Sequence, residues 1–292
     1  MNAIDPAGIQ SVAVIGAGAM GTGIAQVFLG VGCEVALYDA SSEAGKTATL
    51  RIRQGLDKWA AKEQIPSADD AFARLRVVPN LMELRSCQWV IEAVIEDRDA
   101  KAEVFRSLGR LCREDTVLAT NTSSLSITWL GAQAGAPERT LGMHFFNPPT
   151  AMRLVEIVPG LRTAPEVVAA TQGLVERLGK VPVLSRDRPG FIANRIVAPM
   201  LNEAIGVLER GVGTADDIDQ VMRLGLNHPM GPLELADFVG LDVVLAILEE
   251  LYAESGEPRF KPCPLLRKHV EAGWLGRKTG RGFYVYPAAS KA

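Results

Sequence analysis

The chain has 292 residues, 48% of them hydrophobic and 22% charged, which is enough for one large or two ordinary soluble domains. Its net charge of −3, with lysine and arginine spread along the sequence, offers no basic surface for a nucleic acid, so nucleic-acid binding is disfavoured. Four scattered cysteines, without a C-x-x-C or a histidine at ligand spacing, predict free thiols in a reducing compartment, with no disulfide and no metal site.

An apolar run near the N-terminus, SVAVIGAGAMGTGIAQVFLGVG, invites comparison with a signal peptide or a membrane span. Asp5 stands where a signal peptide carries basic residues, and glycine, threonine and glutamine interrupt the apolar core. We therefore expect no membrane association and a cytoplasmic location.

Short β-branched runs alternate with longer amphipathic runs as far as about Ser185, a pattern typical of βαβ units in a parallel, doubly wound sheet. Beyond that point the runs have a helical period. We predict an α/β chain with a Rossmann-like domain at residues 1–187 and an all-α domain at 188–292. The predicted strands are residues 12–16, 34–39, 75–79, 89–94, 116–121, 141–146, 153–158 and 181–185.

The first predicted strand leads into a G-x-G-x-x-G turn at Gly16, Gly18 and Gly21. In a dinucleotide-binding turn, the first glycine permits the tight turn, the second lets the backbone approach a pyrophosphate, and the third lets helix and strand pack closely. The following helix start supplies N–H groups for the phosphates. Such glycine strings are common, so the motif alone is weak evidence. Because this one lies between a predicted strand and a predicted helix, we predict that residues 16–21, including Ala19 and Met20, bind a dinucleotide.

Asp39 ends the second predicted strand, where a carboxylate accepts hydrogen bonds from the adenosine ribose hydroxyls. No arginine follows directly in DASSEAGK, so nothing neutralises a 2′-phosphate, and NAD is favoured over NADP as the cofactor. The alternative is that Asp39 only caps the turn that follows it.

Polar residues also follow the fourth and fifth predicted strands. Glu96 and Lys101 lie in the zone outside the carboxyl ends of the strands, where open α/β sheets bind ligands, but they equally suit solvated charges at a helix start. The cluster at residues 121–124 suits either a helix N-cap or a substrate-facing hydroxyl group. The residue pattern leaves both choices open.

The stretch GMHFFNPPTAMRLVEIV places His144 twelve residues before Glu156. One interpretation is a core histidine satisfied by an acid, and the other is a catalytic pair. If LGMHFF and RLVEIV are neighbouring strands joined by the NPPTAM turn, the two side chains can face each other.

Seven stretches taken together resemble the 3-hydroxyacyl-CoA dehydrogenase family, and most of all its bacterial 3-hydroxybutyryl-CoA dehydrogenases. The resemblance covers about residues 11–286 and implies NAD-dependent oxidation of a short-chain (S)-3-hydroxyacyl-CoA, such as 3-hydroxybutyryl-CoA, to the 3-oxoacyl-CoA. It also implies the reverse reaction and a place in fatty acid metabolism. The stretches, in family order, are GAGAMGTGIAQV, IEAVIED, NTSSLSIT, GMHFFNPPTAMRLVEIV, RPGFIANRI, NHPMGPLELADFVGLD and GRKTGRGFYVY.

The resemblance also implies roles for individual residues. His144 and Glu156 match the family's catalytic pair, while Ser123 and Asn194 match the serine and asparagine that complete the site and contact the acyl-CoA. Family members form dimers through the helical domain, which implies a homodimer. The implied cofactor contacts are the glycine turn, Asp39, Glu96, Lys101, Ser123, Asn147 and Lys278.

One stretch departs from the family pattern. Family members often have a K-G-K-like basic stretch after the second strand that helps to hold the coenzyme A phosphates. This chain has DKWAAKEQIPSADD there, which keeps Lys58 and Lys62 but continues with Glu63 and Gln64. We assign Lys62 to coenzyme A, against the alternative of a solvated helix face.

Oxidation of a secondary alcohol by NAD requires a base for the hydroxyl proton, and a histidine, with an ordinary pKa near 6.5, suits that task. A carboxylate on its second ring nitrogen would fix the tautomer. Two other functions stay open: a dehydrogenase of free hydroxy or sugar acids, as in the crystallin-like branch, and a non-catalytic NAD-binding protein. The retained His144 and Glu156, with Ser123 and Asn194, argue against a mere binding protein, which has no use for a proton acceptor.

Overall fold

Eight strands form one sheet in the protein, whose computed structural model describes residues 5–287. The chain divides after Arg188 into two compact units, and the sheet belongs to the first. All eight predicted strands are present. They are β1 (Ser11–Ile15), β2 (Glu34–Tyr38), β3 (Leu75–Val77), β4 (Trp89–Glu92), β5 (Val117–Thr120), β6 (Thr140–Phe145), β7 (Leu154–Pro159) and β8 (Val181–Leu184).

The strand order across the sheet is β3-β2-β1-β4-β5-β6-β7-β8. Strands β1 to β6 run parallel, whereas β7 pairs antiparallel with β6, and β8 continues parallel to β7. The sequence pattern predicts a parallel sheet, but the β6–β7 pair is antiparallel, so the sheet is only mostly parallel. Only a short turn joins β6 to β7, and a parallel pairing would need a much longer crossover.

Helices cover both faces of this sheet. Successive side chains of a strand point to opposite faces, so alternate residues of β1 enter different cores. Val12 and Val14 pack with helices α1, α2 and α6 on one face. Ala13 and Ile15 pack with α4 and α5 on the other. This is the predicted doubly wound arrangement. The helices of this unit are α1 (Ala19–Gly30), α2 (Ser42–Ala61), α3 (Ala68–Phe72), α4 (Arg98–Leu111), α5 (Ile127–Ala134) and α6 (Pro165–Arg177), with 3₁₀ turns at Pro6–Gly8, Leu81–Leu84 and Pro137–Arg139.

The second unit is built from helices around a core of its own, which includes Ile205, Leu233 and Phe260. Within residues 5–287, no helix is both long and apolar enough to cross a membrane. The helices are α7 (Ala193–Glu209), α8 (Ala215–Gln220), α9 (Pro232–Val239), α10 (Leu241–Ser255) and α11 (Pro264–Glu271), with a π-helical turn at Val221–Gly225 and 3₁₀ turns at Pro258–Phe260 and Arg277–Thr279.

The sheet order reverses between β1 and β4, which lie side by side as the third and fourth of its eight strands. In open α/β sheets, ligands bind outside the carboxyl ends of the strands at such a reversal. Since β1 to β6 are parallel, their carboxyl ends meet at one edge, and the glycine turn, Glu96, Ser123 and His144 all lie at that edge.

Candidate active site

The turn after β1 shows why its glycines are needed. Gly16 has a φ of +100°, and a Cβ atom there would lie 2.5 Å from the carbonyl oxygen of Ala93. A Cβ atom on Gly21 would overlap the carbonyl oxygen of Gly16, whereas one on Gly18 would meet nothing within 4 Å. The backbone at Gly18 is therefore open to a ligand, beside the first N–H groups of α1.

Asp39 ties this turn to the end of β2. One carboxylate oxygen accepts the N–H of Ala17 at 2.7 Å, and the other accepts the N–H of Ser41 at 2.8 Å. Asp39 thus caps the turn that follows it, as one interpretation of the sequence requires, and also holds the glycine turn. A carboxylate offers about four lone-pair sites, so Asp39 can accept ribose hydroxyls as well.

A cavity of about 540 Å³ opens beside the glycine turn and Asp39. Phosphates require N–H donors, the ribose requires an acceptor, and the faces of the base require apolar walls. This cavity offers all three, so its residues fit NAD. Its apolar wall includes Ile15, Ala40, Ala44, Leu81, Val94, Ile95 and Val104.

Lys101 of α4 is buried beside the end of β4, with 1% of its side chain exposed. Its ammonium lies 2.6 Å from a carboxylate oxygen of the fully buried Glu92 and 3.3 Å from Glu96. Glu92 also accepts the hydroxyl of Thr120 on β5 at 2.7 Å. The interpretation of Lys101 as a solvated helix-start charge is therefore wrong, because a buried glutamate requires its ammonium.

Glu96 holds the segment that contains Ser123. It accepts the N–H of Ser123 at 3.1 Å, the hydroxyl of Ser124 at 2.9 Å and the hydroxyl of Thr122. Burial acts to raise the pKa of Glu96, but Lys101 and these three donors outweigh it, so the pKa of this carboxyl lies below its usual value.

The cap of α5 settles one open choice. Ser126 is the N-cap, and its hydroxyl accepts the N–H of Trp129. The cluster at residues 121–124 is therefore not the cap of this helix. In the part of the chain that the structure describes, the hydroxyl of Ser123 has no hydrogen-bond partner, and the residue is partly exposed.

His144 on β6 and Glu156 on β7 are direct partners in the antiparallel register. The Nδ1 atom of His144 lies 2.8 Å from a carboxylate oxygen of Glu156, which is 1% exposed. Phe146 packs against the imidazole with 4.8 Å between ring centroids. Because an ionised carboxylate only accepts hydrogen bonds, Nδ1 carries the hydrogen and Nε2 is the basic nitrogen. The two side chains face each other, as the predicted pair of strands requires.

The remaining predicted residues lie in both units. Asn147 is exposed just after β6, and Asn194 stands in the first turn of α7. Lys278 pairs with Asp242 at 2.5 Å within the second unit. Sequence reasoning did not single out Asn121 by itself, although its side-chain oxygen accepts the N–H of Phe145 at 2.8 Å and so joins the ends of β5 and β6.

Lys62 lines a second cavity of the first unit, with a volume of about 840 Å³. Lys58, Arg153 and Lys180 line it too, and no aspartate or glutamate among residues 5–287 does so. Burial lowers the pKa of Lys180, whose ammonium donates to the carbonyl oxygens of Pro149 and Met152, both at 2.6 Å. Sequence reasoning missed Arg153 and Lys180 because they follow separate turns, far along the chain from Lys62.

Comparison with known proteins agrees with this arrangement. Residues 11–188 match the model of the 3-hydroxyacyl-CoA dehydrogenase NAD-binding domain, and residues 190–286 match that of the 3-hydroxyacyl-CoA dehydrogenase C-terminal domain. A 3-hydroxybutyryl-CoA dehydrogenase of Clostridioides difficile is 44% identical over 279 residues, which cover 95% of this chain and 99% of that protein.

Two further relatives match most of this chain. A 3-hydroxyadipyl-CoA dehydrogenase of Escherichia coli is 41% identical over 97% of this chain and 60% of its own length. The crystal structure of (S)-3-hydroxybutyryl-CoA dehydrogenase from Ralstonia eutropha has a TM-score of 0.93 and 42% identity, covering 96% of this chain and 100% of that one. The protein therefore belongs to the 3-hydroxyacyl-CoA dehydrogenase family, as an oxidoreductase that uses NAD.

Proposed function

We propose that this protein oxidises a short-chain (S)-3-hydroxyacyl-CoA, such as 3-hydroxybutyryl-CoA, to the 3-oxoacyl-CoA, and catalyses the reverse reaction. The observation that carries the proposal is the 2.8 Å contact between His144 and Glu156 at the carboxyl edge of an NAD-binding sheet. Relatives named 3-hydroxybutyryl-CoA dehydrogenase support the choice of acyl group.

His144 acts as the general base. NAD, when bound, supplies the hydride acceptor. Nε2 of His144 takes the proton of the substrate hydroxyl, while Glu156 holds Nδ1–H and stabilises the imidazolium that results. In the reverse direction, the protonated His144 returns this proton to the ketone oxygen.

Ser123 and Asn194 act as hydrogen-bond donors to the reacting oxygen or to the thioester carbonyl, which fixes the carbon for hydride transfer. The contacts of Glu96 with the segment around Ser123 support this role because they restrain its backbone. The role of Asn194 rests on the family motif. So do the cofactor contacts assigned to the exposed Asn147, to Lys278 and to Glu96. Lys101 is only 1% exposed and pairs with Glu92 and Glu96, so it would act on the cofactor through Glu96 and not by direct contact.

Lys62 binds a phosphate of coenzyme A. The cavity that it lines supports this assignment. The exposed Lys58 and Arg153 line the same cavity, and no aspartate or glutamate in the described part of the chain does so. Ammonium and guanidinium groups are the side chains that bind phosphate most strongly. The homodimer and the cytoplasmic location remain part of the same proposal.

The direct test replaces His144 with alanine. We expect kcat to fall on the order of 10²–10⁴-fold, as for loss of a general base, with NADH binding retained. NADH absorbance with acetoacetyl-CoA gives kcat, and fluorescence titration gives the NADH Kd. Near-normal turnover of the variant would show that another group is the base.

The wild-type assay also separates the other candidate functions. The proposed enzyme reduces acetoacetyl-CoA with a much higher kcat/KM than free acetoacetate, because the free acid lacks the groups that Lys62 and its neighbours bind. A dehydrogenase of free hydroxy or sugar acids reverses that order. A non-catalytic NAD-binding protein turns over neither compound while still binding NADH.

A further inference from the structure

The NAD cavity beside Asp39 contains polar side chains that the proposed reaction does not use. Besides Asp39 and the glycine turn, the lining of this 540 Å³ cavity includes Tyr38, Glu103 and Ser107. Glu103 and Ser107 lie four residues apart on α4, and therefore on one face of that helix. Because this face of α4 brings two polar side chains to the cavity, we consider a role for it in recognition of the cofactor.

The order of the groups in NAD determines which part of the cavity receives the base. In bound NAD the pyrophosphate would contact the start of α1 and the adenosine ribose would contact Asp39, so the adenine would reach the part of the cavity beyond Asp39. Leu81, Ile95 and Val104 give this cavity apolar side chains that suit the ring faces. The ring edge has a different need, since adenine carries an exocyclic amine that donates hydrogen bonds.

Glu103 can meet that need. It is exposed, and within residues 5–287 it has neither an ion pair nor a hydrogen bond that would commit its carboxylate elsewhere. A carboxylate accepts hydrogen bonds and donates none when ionised, which matches an amine and opposes a carbonyl.

We propose that Glu103 accepts a hydrogen bond from the exocyclic amine of adenine, and that it thereby makes the protein select adenine over hypoxanthine dinucleotides. Hypoxanthine differs at this edge, where a carbonyl oxygen replaces the amine. The inference goes beyond the proposed reaction, because it requires only NAD binding by the first unit and no particular acyl substrate.

The test compares two dinucleotides by fluorescence titration of the full-length protein. The probes are NADH and its deamino form, reduced nicotinamide hypoxanthine dinucleotide. For the wild type we expect the deamino form to bind roughly three- to tenfold more weakly, the effect of one hydrogen bond to a partly solvated carboxylate. Glu103→Gln should bring the ratio of the two Kd values close to one, because an amide accepts from the amine or donates to the carbonyl.

Two further variants sharpen the measurement. Glu103→Ala should weaken NADH but not the deamino form. Glu83→Gln is the matched control, because it removes an exposed carboxylate beside Leu81 that does not line the cavity, and it should keep the wild-type ratio. Glu103 and Glu83 are both exposed, so we expect the three variants to unfold at the same midpoint as the wild type.

Three results would overturn the proposal: a wild-type ratio of one, a wild-type ratio that persists in both Glu103 variants, or an equal loss of both dinucleotides in Glu103→Ala. The ratios do not depend on turnover. Failure of the acetoacetyl-CoA assay is therefore distinguishable from failure of this inference.

Discussion

His144 becomes a candidate base through its neighbours. The imidazole is mostly buried, its Nδ1 contacts Glu156 at 2.8 Å, and Phe146 packs on the ring. These contacts set the tautomer and the orientation of the ring together. Without the carboxylate, the imidazole ring could rotate away from the orientation that proton transfer requires.

Glu156→Gln tests the carboxylate alone. Glutamine can still accept the Nδ1–H bond, but it is neutral and so stabilises the imidazolium less, and we expect kcat to fall roughly ten- to a hundredfold, less than on removing the base. Steady-state rates with acetoacetyl-CoA give the loss. Glu138→Gln, an exposed carboxylate just before β6, is the control and should leave kcat unchanged. An unaltered kcat in Glu156→Gln would refute the role of the carboxylate charge in stabilising the imidazolium.

At the scale of elements, β4 and α4 are joined by a buried ion pair. Glu92 is the last residue of the otherwise apolar strand β4, and Lys101 from the first half of α4 reaches it at 2.6 Å. Lys101 and Glu96 then connect this pair to the segment after β5 that carries Ser123. The ends of β4 and β5 are thus joined through Lys101, whose pair with Glu92 is buried, and through Glu96, whose side chain is 40% exposed.

Lys101→Met should destabilise the protein by about 3–5 kcal/mol, because it leaves the charge of Glu92 buried without its partner. Lys46→Met is the matched control. It breaks an exposed pair with Glu43, in which both side chains are more than 70% exposed, and should cost less than about 1 kcal/mol. Urea unfolding followed by tryptophan fluorescence measures both. Equal midpoints for the two variants would contradict a stabilising role of the buried pair.

Glu96 predicts a dependence of stability on pH. Since its native pKa lies below the usual value, its ionised form stabilises the fold fully above the unfolded-state pKa of about 4.3, and this contribution is lost as pH falls through the lower native pKa. The free energy of unfolding of the wild type should therefore exceed that of Glu96→Gln by a constant amount above about pH 5. The difference should shrink below about pH 4. A difference that stays constant down to pH 3 would exclude this assignment.

For the whole molecule, the second unit raises the question of self-association. Val212, Val221, Leu224 and Leu226 of this unit are each more than 60% exposed, and a monomer would leave these apolar side chains in water. The resemblance to the family predicts a homodimer through this domain. The exposed residues support that prediction.

Light scattering should therefore give twice the chain mass of 31.3 kDa. Leu224→Glu should shift the protein toward the monomer at low micromolar concentration, since a charge would be buried in the contact. Lys46→Met, in the first unit, should keep the wild-type mass. A monomeric wild type would make the predicted homodimer wrong.

The sequence by itself determined the eight strands, the helical second unit, the glycine turn and the position of His144 opposite Glu156. These features depend on local patterns: apolar runs with a fixed period, glycines that a turn requires, and a short connection between two strands. The resemblance to the family added roles for Ser123, Asn194 and Lys62 that no local pattern contains.

Only the tertiary structure decided which distant groups meet. It pairs Lys101 with Glu92, makes Ser126 rather than the preceding cluster the cap of α5, and brings Arg153 to the cavity of Lys62. It also puts Glu103 on the wall of the NAD cavity, where the sequence shows only a charge on a helix. These facts escape the sequence because a charge pattern along a helix is the same whether it faces water, a buried acid or a ligand, and only packing between distant segments distinguishes the three.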